Sequence, residues 1–150
     1  MSDLTAQEVL QLFSLGERNF SNLDLSGIEL AEAELPRINL TRTNLTGAKL
    51  ICINLTSASL REANLSGANL KGADLTSAYL TQANLTNAYF EREYTAKMDR
   101  AILIGTNFEG LHISERLCSY VPDSRNSFFW YTIAPDGTTI EGSRYGGYLD

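Results

Sequence analysis

From Phe20 to Phe90 a large apolar residue stands at every fifth position: Phe20, Leu25, Leu30, Leu35, Leu40, Leu45, Leu50, Leu55, Leu60, Leu65, Leu70, Leu75, Leu80, Leu85 and Phe90. Two places before most of them is a small or aliphatic residue, and in the second half it is always Ala: Ala58, Ala63, Ala68, Ala73, Ala78, Ala83 and Ala88. The intervening positions are mostly polar. A spacing of five fits neither the helical period of 3.6 nor the strand period of 2. It predicts a unit that regains its orientation every five residues: a short extended piece, then a turn of roughly 90°. Two side chains then face inward and three face outward or lie in the turn. Four such sides close a square coil.

A second spacing supports the square. Two places after the central residue, Gly27, Gly47, Gly67 and Asn87 recur at intervals of twenty. Gly and Asn tolerate φ > 0, so one corner of each coil is expected to need that conformation. The residue before the central Leu echoes at the same interval, as Asp24, Asn44, Asn64 and Asn84. Stacked amides of this kind can bond along the coil axis.

The strings Ala63-Asn64-Leu65-Ser66-Gly67, Ala68-Asn69-Leu70-Lys71-Gly72 and Ala73-Asp74-Leu75-Thr76-Ser77 resemble the pentapeptide-repeat family, whose consensus is Ala-(Asp/Asn)-Leu-x-x. The resemblance covers residues 18–92 and points to a cyanobacterial-type member. It implies an all-β solenoid, a right-handed quadrilateral β-helix with four repeats per coil. Arg18 cannot face inward, so the first true repeat is expected near Phe20. Leu23, Ile28, Ile38 and Ile53 replace Ala at the second inward position, which predicts a wider or differently filled first end. Pro36 follows a central Leu, where a missing N–H fits a corner.

The flanks read differently. Residues 4 to about 16 predict a helix, with Thr5 and Glu8 as a capping box and Leu4 and Val9 as a hydrophobic staple. Val9, Leu10, Leu12 and Phe13 supply its apolar stripe, with Leu15 at the edge, and Gly16 is a stop. Residues 1–17 are expected to form an α-helical cap on the repeats. The beat fails from Glu91 to Arg100 and resumes with Leu103 and Phe108 as central residues. That predicts an inserted eight-residue loop (93–100), followed by resumed repeats (101–115). After Ile113 the repeat is expected to end. Ser127 to Ile133 reads as an aromatic strand, and Ala134-Pro135-Asp136-Gly137 as a turn leading to a second strand from Thr138 to Glu141. The Thr132–Thr138 segment also resembles a tail found after the repeats in some cyanobacterial relatives. Residues 116–150 are therefore expected to be a β-hairpin and aromatic cap with a flexible tail at Gly146 and Gly147. The whole chain of 150 residues is expected to be one domain.

The net charge of −6 argues against a basic surface for nucleic acid or anionic membrane. No apolar run approaches a membrane span, and the first residues lack the pattern of a signal peptide. A cytoplasmic location is the expectation. Cys52 is placed at an outward corner and Cys118 inward, about three rungs apart, or roughly 14 Å at the spacing of stacked strands, too far for a disulfide. The single histidine, His112, is placed outward. No spacing of His, Cys and carboxylates matches a metal site, and no phosphate- or dinucleotide-binding glycine motif is present. No cofactor and no enzymatic activity are expected. The Asn-Leu-Thr/Ser strings at Asn39, Asn44, Asn54, Asn64 and Asn84 follow from the repeat rather than marking glycosylation.

What remains is a rigid module for an unidentified protein partner, as a monomer or weak dimer. The candidate interaction residues are Tyr79 and Tyr89, outward in late rungs; Arg92, Tyr94 and Lys97 in the loop; and Trp130 in the aromatic segment. The resemblance offers two alternatives. Some relatives inhibit DNA gyrase by mimicking duplex DNA, and one cyanobacterial relative regulates differentiation. Mimicry needs a column of carboxylates. Between residues 19 and 90, Asp24, Glu29, Glu32, Glu34, Glu62 and Asp74 are nearly balanced by Arg37, Arg42, Lys49, Arg61 and Lys71.

Overall fold

The computed structural model describes residues 4–90, 100, 102–104, 107, 128–130, 132, 133, 137, 139, 140, 144 and 145. The predicted loop residues Arg92, Tyr94 and Lys97, together with Phe108, His112, Cys118, Gly146 and Gly147, lie outside them.

The helix α1 spans Ala6–Ser14. Thr5 caps its start: the Thr5 side chain accepts from the Glu8 amide, and the Thr5 amide donates to the Glu8 carboxylate at 2.7 Å. Leu15 ends the helix and Gly16 follows at φ +99. The Gly16 amide donates to the Phe13 carbonyl and the Glu17 amide to that of Leu12, the paired closure of a Schellman motif. Val9 is fully buried in the core, and Leu4, Ala6 and Phe13 pack against it. These residues define the buried stripe. Leu10 and Leu12, expected in that stripe, fall on its flanks and are 42% and 37% exposed. At 100° per residue Ala6 and Phe13 lie to one side of Val9, about 60° and 40° away, whereas Leu12 lies about 60° to the other side and Leu10 about 100° round. Arg18 locks the exit from the helix. Its guanidinium lies 3.7 Å from the centre of the Phe13 ring, and Nη1 donates to the Phe13 carbonyl at 2.7 Å.

From Asn19 the backbone forms a four-sided parallel coil. The first side stacks Asn19, Asn39, Ser59 and Tyr79; the second Asp24, Asn44, Asn64 and Asn84; the third Glu29, Lys49, Asn69 and Tyr89; the fourth Glu34, Asn54 and Asp74. Each bridge joins residues twenty apart. The bonding repeats on every side: Leu25 N–H donates to the Asn44 carbonyl (2.8 Å), Gly27 N–H to Thr46 (2.9 Å), and Asn44 N–H back to Leu23 (2.9 Å).

From Leu25 onward each corner is a tight turn in which the amide three places after the central residue donates to its carbonyl, as Ala68 does to Leu65 at 3.0 Å. The residue two places after the central one has positive φ at every corner: Asn22, Gly27, Glu32, Arg37, Arg42, Gly47, Cys52, Ser57, Glu62, Gly67, Gly72, Ser77, Gln82 and Asn87. This is the φ pattern of a type II turn. The requirement is thus wider than the one corner column expected from Gly27, Gly47, Gly67 and Asn87. A Cβ added at Gly27, Gly47 or Gly67 would meet nothing within 4 Å, so the glycines there relieve backbone strain and not crowding. Pro36 occupies the position before such a residue, and the missing amide breaks no bond between coils.

Central Leu and Phe residues from Phe20 to Phe90 are buried, with the Ala column beside them. Each buried Leu contributes about 1.5–3 kcal/mol. Where the second inward residue is Ile28, Ile38 or Ile53, the corner bond is 3.2, 3.4 or 3.3 Å. From Ala58 to Ala88 it is 2.9–3.1 Å. The corner at Ala33 closes at 3.3 Å as well, so the longer bonds belong to the first end of the tube and not to the larger side chains alone. Thr43 is the buried polar exception at this position, and its hydroxyl donates to the Phe20 carbonyl one coil below at 2.8 Å.

After Phe90 the register changes. An eight-residue insertion would place Ile102 above Asp74 on the fourth side. Ile102 instead bridges Tyr79 on the first side, and Asn107 bridges Asn84 on the second. Twenty-three residues separate these partners, against twenty between the coils that precede them. The net insertion is therefore three residues. Strand β1 (Ile102–Ile104) then pairs in parallel with β2 (Phe128–Trp130), Ile102 opposite Phe128 and Ile104 opposite Trp130. Asn107 bridges Ile133 in β3 (Thr132–Ile133). The aromatic segment thus adds a further parallel layer on the first two sides, where the repeat was expected to have ended. The predicted hairpin is present: β3 pairs antiparallel with β4 (Thr139–Ile140), across a turn that holds Gly137 at φ +82. β5 (Arg144–Tyr145) pairs antiparallel with β2.

Two outcomes test this architecture. Leu65→Asp should abolish the cooperative thermal melt, because the buried carboxylate would have no partner; an unchanged melt would remove Leu65 from the core. Gly47→Ala should cost about 1 kcal/mol in denaturant unfolding despite the open space around it, while Ser57→Gly, at the same kind of corner, should be neutral or slightly stabilising.

Candidate interaction surface

The outward side chains stand in vertical columns fixed by the coil. In most repeats an Asn or Asp before the central Leu folds over its own corner. Asp24 accepts the Ser26 amide at 3.0 Å, Asn54 that of Thr56 at 2.9 Å, and Asn84 that of Thr86 at 3.0 Å. The amide group of the same side chain can then reach along the axis. Asn39 donates to Asn19 (3.0 Å), Asn44 to Asp24 (2.9 Å), Asn54 to Glu34 (2.6 Å) and Asn84 to Asn64 (3.2 Å). The expected ladder is broken at one rung, where Asn64 donates to the Thr46 hydroxyl instead of to Asn44.

Charges alternate along the columns. Arg42 Nε and Nη2 grip Glu62 at 2.8 and 3.1 Å, and Lys49 pairs with Glu29. Each pair is separated by one coil. Their twenty-residue spacing makes them legible in the sequence, whereas the net charge conceals them. Hydrogen bonding from Arg42 holds the Glu62 carboxyl below its usual range, and Glu62 raises the Arg42 guanidinium. Asp24 is lowered by the Ser26 amide and hydroxyl and by Asn44. Glu8 is lowered by the Thr5 amide and hydroxyl, and Glu17 by the amides of Asn19 and Arg18.

Tyr79 and Tyr89 are 38% and 42% exposed. They occupy the first and third sides, which face away from each other, so they do not form one patch. Tyr79 receives the Arg61 guanidinium at 4.9 Å from its ring centre. That contact couples residues eighteen apart and has no signature in the five-residue beat. Trp130 is placed by backbone register alone, on the first side beside Ile104. Cys52 is a free, exposed corner residue. Among the described residues no group of three His, Cys, Asp or Glu could hold a metal ion, and no helix is long and apolar enough to cross a membrane.

A four-sided parallel coil with an inward residue at every fifth position and a positive-φ corner after it defines the five-residue-repeat solenoids. The family model described as pentapeptide repeats matches residues 19–51, 38–76 and 53–92, with eight copies, and the chain belongs to this family. Among solved structures it is similar to a pentapeptide repeat protein from the thylakoid lumen of Arabidopsis thaliana, at 32% identity and TM-score 0.61, covering 69% of this chain and 71% of that one. It is also similar to the pentapeptide repeat protein Rfr23 of the cyanobacterium Cyanothece 51142, at 28% identity and TM-score 0.53, covering 71% and 86%. No curated protein matches the chain. The lumenal relative shows that this fold does not fix a compartment.

The lowered carboxyls predict acid sensitivity. Glu8, Glu17, Asp24 and Glu62 titrate lower when folded than when unfolded, so their contribution is complete above the ordinary carboxylate pKa of about 4 and is lost as pH falls through the folded values. The melting temperature should hold level from neutral pH to about pH 5 and fall below about pH 4. Glu62→Gln should shorten that fall, and a variant with an unaltered acid limb would show that the Arg42 pair does not persist in solution.

Proposed function

We propose that this chain is a non-enzymatic, rigid interaction module. The observation that carries the reading is the register. One-residue bridges at constant spacing hold outward side chains in fixed columns, a surface whose shape costs little ordering on binding. In this reading α1 closes the first end of the coil and the antiparallel strands β4 and β5 close the other, leaving a monomer or weak dimer. The loop after Phe90, with Arg92, Tyr94 and Lys97, breaks the register by three residues and is the proposed recognition element, set on a rigid scaffold. Trp130 and Tyr79, on one side of the tube near that break, are its proposed neighbours; Tyr89 faces the opposite way.

The layout of charge does not support duplex mimicry. Along the four sides from 19 to 90, the columns interleave Glu29 with Lys49 and Arg42 with Glu62. No column there stacks two carboxylates in successive coils.

Affinity capture with the full chain, and with residues 91–99 replaced by a short Gly-Ser linker, tests the module. A saturable partner lost on replacement is the expected result; capture indifferent to the loop would move recognition elsewhere. In a gyrase supercoiling assay, micromolar protein should leave the reaction unaltered, and inhibition there would restore mimicry.

A further inference from the structure

The first coil has no coil beneath it. Among the described residues, the amides of Asp24, Glu29 and Glu34 have no bonding partner, and neither do the carbonyls of Asp24, Ser26, Glu29, Ala31, Glu34 and Pro36. One coil higher, every corresponding group is filled: Asn44 N–H by Leu23, the Asn44 carbonyl by Leu25, the Thr46 carbonyl by Gly27. Each of these three sides therefore presents one donor and two acceptors to whatever lies below, the pattern that accepts an added strand.

The charge around this edge selects the occupant. Residues 4–38 hold Glu8, Glu17, Asp24, Glu29, Glu32 and Glu34 against Arg18 and Arg37, whereas residues 39–90 hold Glu62 and Asp74 against Arg42, Lys49, Arg61 and Lys71. The tube is negative at its first end and positive along the rest. The second coil shows what suits these carboxylates: Asn44 donates to Asp24, Lys49 to Glu29 and Asn54 to Glu34. Carboxylates cannot donate in turn to a layer below. A second copy docked end to end would set carboxylate against carboxylate. It would also meet α1, whose Val9 is buried in the core at this end. A single short basic strand brings no carboxylates of its own to the rim.

We propose that the open rim of the first coil, above all its third side at Glu29, Ala31 and Glu32, docks a short extended segment of a partner protein that bears Lys or Arg. The segment's amides meet the Glu29 and Ala31 carbonyls, its carbonyl meets the Glu29 amide, and its cation meets the Glu29 and Glu32 carboxylates. On the opposite edge of this strand Lys49 N–H donates to the Ile28 carbonyl, the Lys49 and Ile51 carbonyls accept from Leu30 and Glu32, and the Lys49 cation meets the Glu29 carboxylate, so an added segment below would complete the pairing with the complementary set of groups. This deepens the reading of the chain as an interaction module by naming a second surface and the chemistry of its partner.

The test titrates the full chain with a fluorescent peptide of alternating Lys and Val, followed by anisotropy and by amide hydrogen exchange. Saturable binding is expected, with slowed exchange at Asp24, Glu29 or Glu34. The D24N/E29Q/E34Q variant should weaken it about tenfold, while Glu62→Gln should leave it within about twofold. A peptide alternating Lys and Pro carries the same charge without a strand's amide donors and should bind no more tightly than the weakened variant does. Equal binding of the two peptides, unaltered exchange at the rim, or self-association of the chain in place of peptide binding would each overturn the proposal. The peptide comparison and the exchange measurement need no variant, so a triple variant that fails to fold leaves them decisive. Loss of partner capture on replacing the loop, with no binding at the rim, would leave the module reading intact and remove only this surface.

Discussion

The left-handed backbone conformation at every fifth residue governs this molecule. It turns the chain through each corner, and so decides that residues twenty apart lie in contact and that inward residues recur at intervals of five. An isolated residue such as Arg42 or Glu62 in that region is disfavoured by roughly 1–2 kcal/mol relative to right-handed geometry. From Asn22 to Glu62 and at Gly67 and Gln82 the corner residue donates an amide bond to the next coil, and from Leu25 onward each corner closes a hydrogen bond within the turn, which offsets this cost. Gly27 donates to Thr46, Cys52 to Lys71 and Gln82 to Ile104. Strain is local, whereas its compensation comes from the neighbouring coil. That explains how residues as unlike as Glu, Arg, Cys, Ser and Gln occupy the same conformation, and why a single coil would not stand alone.

From this follows the division between what the sequence made legible and what it did not. The inward column could be read because burial in a narrow tube tolerates little besides Leu, Phe and Ala. The Gly27 and Asn44 columns reveal the coil length, but the glycines mark only some of the positive-φ corners: glycine is sufficient for positive φ, and the corners at Glu32 and Ser57 show that it is not required. The helix boundary was legible from Thr5, Glu8 and Gly16, each of which makes a specific backbone bond. The fate of Leu10 and Leu12 was not, because their exposure depends on which face meets the first coil. The insertion after Phe90 had two solutions differing by one side of the square. Sequence phase fixes the count only modulo five; the pairing of Ile102 with Tyr79 rather than Asp74 fixes the side.

The surface columns carry a similar lesson. Net charge alone describes a mildly acidic tube. The register resolves that total into opposite-charge pairs one coil apart and an acidic first end. Arg42 and Glu62 are distant in sequence and adjacent in space, and their attraction is exposed and modest. Its value lies in arrangement: like charges one coil apart on the same column would repel at about 4.8 Å on every rung. A coil of this kind can hold a charge pattern only if residues twenty apart are chosen together.

The two ends meet the problem of an unfinished parallel sheet by different means. At the later end, β4 and β5 pair antiparallel with β3 and β2, and in the proposed reading this reversal of direction closes the parallel stack. At the first end, α1 buries Val9 over the core, while among the described residues the backbone edge of three sides is unpaired and a carboxylate precedes the central Leu on each. Such charges guard an edge against strands like itself. The same charges are attractive to a strand of opposite sign, so an edge protected from self-association by Asp24, Glu29 and Glu34 is by that very fact selective for a basic one.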